Sequence, residues 1–213
     1  MKSVELGRKL TLTDVVAVAR DGAPVVLGSE ARARVERARK MVEELVAAKR
    51  PVYGITTGFG KFSDVTISPE ETARLQHNLI MSHACAVGDP LDVEAARAVM
   101  LLRAQALAQG YSGIAPETLD LLVDMLNAGI TPVIPEQGSL GASGDLAPLA
   151  HMCLPLIGMG EAFFRGQRLS GTEALQRAGL RPVRLSAKEG LALINGTQVM
   201  TGIGALALAD ALE

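Results

Sequence analysis

The sequence has no excess of either charge: 21 Lys and Arg stand against 23 Asp and Glu, for a formal net charge of −2 over 213 residues. A chain so balanced lacks the electrostatic footprint of a nucleic-acid binder. Its one basic run, Arg32 to Lys40, alternates with Ala, Val and Glu36 as on an exposed helix face. Cysteine is scarce. Cys85 and Cys153 sit among apolar residues without CxxC spacing, and the polar start Met1-Lys2-Ser3 carries no signal-peptide pattern, so the expected localisation is a reducing cytoplasm. The three histidines lack HExxH spacing, and no metal is implied. One uncharged stretch, Gly190 to Ala209, is long enough to span a bilayer, but Asn195, Thr197, Gln198, Thr201 and four glycines make it a poor membrane segment. A buried helix and no membrane partner are expected. Internal repeats and low-complexity tracts are also missing.

What is present is the composition of a globular chain. Hydrophobic residues make up 48% and charged ones 21%, which supports a sizeable core and argues against disorder. At about 150 residues per domain, the length suits one domain and a fragment. Apolar spacing is helical almost throughout, so the fold class is mainly α. A short helix opens at Thr13-Asp14, and a longer one runs from Ser29 through Lys49 with Val35, Met41, Val42, Leu45 and Val46 as its apolar stripe. Ser68-Pro69-Glu70-Glu71 combines an N-cap serine, a proline at the first helical position and a glutamate three residues on, and predicts a helix to about Val87. Further helices are expected over Leu91 to Gln109, Pro116 to Asn127 and Asp145 to about Gly158, and after the similar box Ser186-Ala187-Lys188-Glu189. Residues 52–68 have no helical spacing and form a long loop of the kind that carries function. Phe163 to Leu169 is the one expected β-hairpin. Asn195-Gly196 interrupts the last helical stretch, and Thr197 to Leu212 is apolar on nearly every face. Such a helix is stable only among others. The expectation is that these residues are the N-terminal part of a longer protein, or that the last helix docks on another chain.

The segment with most chemical content is Gly138-Ser139-Leu140-Gly141-Ala142-Ser143-Gly144-Asp145. Glycines and small side chains let the backbone at Ala142-Ser143-Gly144 fold onto itself. In a tight turn the Gly144 amide nitrogen can attack the Ala142 carbonyl carbon and close a five-membered ring through Ser143. Loss of water from the ring and of the Ser143 hydroxyl leaves a methylidene-imidazolone (MIO), an electrophile made without an external cofactor. Glycine is needed because a Cβ would crowd the closure, and serine because its β-hydroxyl can be eliminated. Alone, the tripeptide reads as a Gly-rich turn capping the helix at Asp145.

Three other segments carry candidate groups. Tyr53-Gly54-Ile55-Thr56-Thr57-Gly58-Phe59-Gly60 has glycines that let a loop close over a site, and Tyr53 is a phenol able to exchange a proton; read alone, it is a turn with a half-buried tyrosine. Asn195-Gly196-Thr197-Gln198 reads alone as a helix cap. His83, in Asn78 to Ala84, reads alone as a core or capping histidine, and His77 and His151 as structural ones.

Taken together, the string Gly138 to Ala150, the Tyr53 loop and the Asn195-Gly196-Thr197 motif resemble the aromatic amino acid ammonia-lyase family, whose prosthetic group is this MIO. The pair Ser82-His83 looks like the histidine branch, since the phenylalanine and tyrosine branches usually carry Phe-Leu or His-Leu. The resemblance covers the whole chain. It implies a mainly α fold: residues 1–193 as an N-terminal catalytic domain bearing the MIO and a small hairpin, and 194–213 as the first helix of a truncated central bundle. It also implies elimination of ammonia from L-histidine to give trans-urocanate, with the amine captured at the group derived from Ser143.

Roles carried over by the resemblance are MIO formation by Ala142, Ser143 and Gly144, β-proton removal by Tyr53, hydrogen bonding around ring and substrate by Asn195, imidazole binding by His83, and support of ring formation by Asp145. A free phenol keeps its proton at neutral pH, so the base role asks for helix N-termini at the ring, such as the one at Asp145. A substrate carboxylate calls for a bidentate Arg, and no arginine here lies in a matched motif. The resemblance places it, with further Tyr, Gln, Phe and Glu groups, outside these residues, in a homotetramer that builds each site from three chains. The 213-residue chain alone is therefore expected to be a poor lyase. Two alternatives remain: an aminomutase or aromatic lyase with the same group, which Ser82-His83 disfavours, and a non-enzymatic helical interaction module.

Overall fold

The computed structural model describes residues 2–58, 67–140 and 144–212. Helices dominate, as the spacing predicts. In chain order they are α1 (Leu12–Ala19), α2 (Ser29–Ala47), α3 (Pro69–His83), α4 (Val93–Ala108), α5 (Pro116–Ala128), α6 (Leu146–Cys153), α7 (Gly171–Arg177), α8 (Glu189–Ile194) and α9 (Gln198–Leu212). Helix α4 is the axis of the core: Ala98, Val99, Met100, Leu101, Ala104 and Leu107 are fully buried, and α1, α5 and α9 pack against it. No helix among the described residues is long and apolar enough to cross a membrane.

Short strands brace the helices. The expected hairpin forms as β6 (Glu161–Phe164) and β7 (Gln167–Ser170), and β4 (Thr131–Pro132) extends it by pairing antiparallel with β6. Two pairings were not expected: β1 (Val4–Leu6) runs parallel to β2 (Val25–Leu27), and β3 (Val87–Pro90) runs antiparallel to β5 (Pro135–Gln137). The second of these shortens α3. Helix α3 ends at His83 because Val87 is already paired with Gln137 and the chain must reach Pro90 extended.

Other local expectations shift for identifiable reasons. Helix α1 is capped by Thr11, whose side chain accepts the Asp14 N–H at 3.2 Å while Asp14 accepts the Thr11 N–H at 2.8 Å. Met41 is 63% exposed, because α2 turns Ala31, Val35, Arg39 and Val42 inward. Arg39 therefore leaves the solvated basic face and donates to Gly113 O at 3.3 Å, Ala187 O at 3.0 Å and Ser186 Oγ at 2.9 Å. Cys85 is exposed, and only Cys153 has the apolar surroundings expected of both. The Ser186–Glu189 box forms, with Ser186 N–H donating to Glu189 Oε2 at 2.8 Å, but α8 starts only at Glu189. The buried Glu189 carboxylate also accepts from Thr118 Oγ1 at 2.6 Å, so the box fastens α8 to the start of α5.

Candidate functional site

Gly144 and Gly196, far apart in sequence, form an isolated parallel β-bridge. Ala142 and Ser143 lie outside the described residues, as do Phe59 and Gly60 of the Tyr53 loop. Gly144 is buried with φ at +57°, in the left-handed region open to glycine. Its carbonyl accepts the Leu140 N–H at 2.8 Å, which closes the chain on itself around the tripeptide.

Asp145 fixes the two sides of this closure. It is fully buried; Oδ1 accepts from Ser139 Oγ at 2.7 Å and Oδ2 from the Met200 N–H at 2.9 Å. Met200 is the third residue of α9, so the carboxylate satisfies one of the amides that a helix N-terminus leaves without an internal partner. Helices α6 and α9 each begin two residues after a bridged glycine. Their N-termini, carrying partial positive charge, converge on the bridge.

Asn195 is exposed, with extended backbone at the break between α8 and α9. Its carbonyl is held by Arg103 of α4, 3% exposed, whose Nη1 donates to Asn195 O at 3.2 Å and to Gln198 Oε1 at 2.6 Å. Nη2 donates to Ala192 O, and Nε has no partner among the described residues. Gly196 is sterically required: a Cβ there would collide with Gln198 Oε1 and Arg103 Nη1. Burial pushes the Arg103 guanidinium down to about 10, which leaves it cationic at neutral pH. Burial also pushes the nearby Cys153 thiol up to about 12, with Arg103 pulling the other way. That thiol stays protonated and is no nucleophile.

His83, the last residue of α3, holds Nδ1 2.8 Å from Leu79 O. A carbonyl only accepts, so Nδ1 is the donor in this bond and Nε2 is left for another partner. Tyr53, 59% exposed, opens a turn whose next residues Ile55, Thr56 and Thr57 are buried. The Ile67 N–H donates to Thr56 O at 2.9 Å, joining the two flanks of the loop. The structure thus brings Gly144, Asp145, Gly196 and the Asn195 backbone together, while the His83 ring is bonded to Leu79 of its own helix. Sequence reasoning missed Arg103. Its signal was a cation placed directly after the apolar run Ala98 to Leu102 of α4.

The sequence profile of the family described as aromatic amino acid lyase matches residues 10–213. A histidine ammonia-lyase of Symbiobacterium thermophilum is 71% identical over 211 residues, covering 99% of this chain and 42% of the relative. The crystal structure of histidine ammonia-lyase from Trypanosoma cruzi superposes with a TM-score of 0.90 at 40% identity, over 98% of this chain and 40% of that one. An ergothionase from Treponema denticola superposes with a TM-score of 0.94 at 33% identity, again over 98% of this chain and 42% of the other. The chain spans about two fifths of the length of the relatives it matches. With the family profile covering nearly all of it and relatives this similar, the chain belongs to the aromatic amino acid lyase family.

Proposed function

We propose that this chain is the electrophile-bearing segment of a histidine ammonia-lyase, which eliminates ammonia from L-histidine to give trans-urocanate. The observation that carries the reading is the Gly144–Gly196 bridge with Asp145 clamped beneath it. It brings the flank of the signature tripeptide and the Asn-Gly break into one rigid cluster. The 71% identity to a histidine ammonia-lyase favours L-histidine over other aromatic amino acids.

The residues present fit an MIO group made from Ala142, Ser143 and Gly144. Gly144 has the positive φ of a tight turn, and the Leu140–Gly144 and Ser139–Asp145 bonds hold both flanks. Once formed, the group supplies an electrophilic carbon for the substrate amine. The converging N-termini of α6 and α9 stabilise negative charge beside it. His83 Nε2 accepts the N–H of the substrate imidazole, Asn195 offers its exposed amide to ring and substrate, and Tyr53 takes the β-proton from its exposed turn.

The reading extends to assembly. Residues 1–193 form the catalytic part and 194–213 the start of a helical bundle, a division one residue before the end of α8. Helix α9 buries Val199, Leu206 and Ala209 yet leaves Met200, Ile203, Leu208 and Leu212 exposed. That apolar face suits a cytoplasmic homotetramer. Intact mass spectrometry tests the reading: a mass two waters below the sequence supports it, and release of urocanate rather than cinnamate by the assembled lyase fixes the substrate. A full-length protein with a linear Ser143 would overturn it.

A further inference from the structure

Helices α8 and α9 are separated by a break at Asn195–Thr197, and each helix end facing the break is held by a buried charge from elsewhere in the chain. Asp145 takes the Met200 N–H at the start of α9. Arg103 takes the Ala192 and Asn195 carbonyls at the end of α8 and, across the break, the Gln198 side chain. Each charge has the sign that the helix end favours, carboxylate at an N-terminus and cation at a C-terminus. Arg103 forms no salt bridge among the described residues. An unpaired guanidinium 3% exposed is a poor way to fill a core. Its benefit is geometric: a planar fork spans three acceptors on two helices, which neither an apolar side chain nor a single ammonium does.

We propose that Arg103 is a positioning residue that fixes the Asn195–Gly196 break against Gly144, and so sets the turn that must cyclise. The first half stands on the contacts alone; the second rests on the reading of the chain as a lyase segment. The chain of contacts is continuous. Arg103 holds Asn195 O and packs where a Cβ on Gly196 would lie, Gly196 bridges to Gly144, and Gly144 is the third residue of the tripeptide. A shift of the break would therefore be felt at the attacking amide.

The test compares the wild-type 213-residue chain with Arg103→Lys, Arg103→Met and Gln198→Ala, by amide hydrogen exchange and intact mass. Arg103→Met should speed exchange of the 195–200 and 144–146 amides by about tenfold or more, while amides in the middle of α5 stay protected. Arg103→Lys should fall between Met and wild type, because a space-filling role would be kept better by Met and a positioning role by Lys. Gln198→Ala should loosen the same amides more weakly. The fraction of molecules lacking two waters should fall in the same order. Wild-type exchange at both segments in Arg103→Met overturns the proposal. If that variant does not fold, unchanged exchange in both Arg103→Lys and Gln198→Ala does so. A wild-type chain of full sequence mass would count against the lyase reading, while the exchange arm still decides the role of Arg103.

Discussion

The Asp145 carboxylate accepts the Met200 N–H at 2.9 Å, across 55 positions of sequence. Its other oxygen accepts the Ser139 hydroxyl at 2.7 Å, so one buried side chain ties both flanks of the signature tripeptide to the start of α9. Asp145 stands at the N-cap position of α6 without capping that helix itself. Its bonding capacity goes to a different helix.

Asp145→Ala should therefore destabilise the chain by about 2–4 kcal/mol, because two donors lose their buried acceptor. Urea unfolding measures this. The same variant should lose the two-water mass deficit; an Asp145→Ala protein that still shows it would remove Asp145 from ring formation.

Gly196→Ala puts a methyl group against Arg103 Nη1 and Gln198 Oε1. Overpacking of that kind costs about 1–3 kcal/mol. Because Gly196 bridges to Gly144, ring formation should fall more steeply than stability when mass deficit and denaturant midpoint are compared across variants.

The two cysteines should report opposite environments. Cys85 is exposed and Cys153 fully buried, so a thiol reagent should label Cys85 in the folded chain and Cys153 only on unfolding. The Cys153 thiol rises from 9.0 to about 12 on folding. The unfolded chain then releases this proton first, and the thiol's contribution to stability falls as pH climbs from 9.0 toward 12. The stability advantage of wild type over Cys153→Ala should shrink above pH 9.0; an advantage independent of pH would contradict the burial argument.

His83→Leu removes the Nε2 acceptor without touching the tripeptide. In the assembled lyase, KM for L-histidine should rise about tenfold or more, since a site built to hydrogen-bond its substrate loses most when the partner is gone. The mass deficit should stay intact, which separates substrate binding from ring formation. Unchanged KM would return His83 to the role of a helix-end residue bonded to Leu79.

Signals confined to a few neighbouring residues were legible in the sequence. Ser68 caps α3, accepting the Glu71 N–H at 3.3 Å, and Asn195-Gly196 breaks the last helical stretch where spacing placed the break. Helix α7 went unread even though Ser170-Gly171-Thr172-Glu173 repeats the capping spacing, with Ser170 Oγ accepting the Glu173 N–H at 3.3 Å. The β1–β2 and β3–β5 pairings were hidden because strands of three or four residues are too short to show alternation. For the candidate site, the motifs marked which residues matter but not how they meet. That Gly144 touches Gly196, and that Arg103 crosses from α4 to hold Asn195, are long-range facts set by packing.

The bond from the Ile67 N–H to Thr56 O has an evolutionary consequence. It holds Thr56 and Ile67 side by side, so a change in the number of residues between them need not move either one. The entropic penalty of lengthening such a closed segment is small, about 0.6 kcal/mol per doubling. Exchanging residues 59–66 for those of another member of this family should therefore leave the flanking turn at Thr56 and the start of α3 in place.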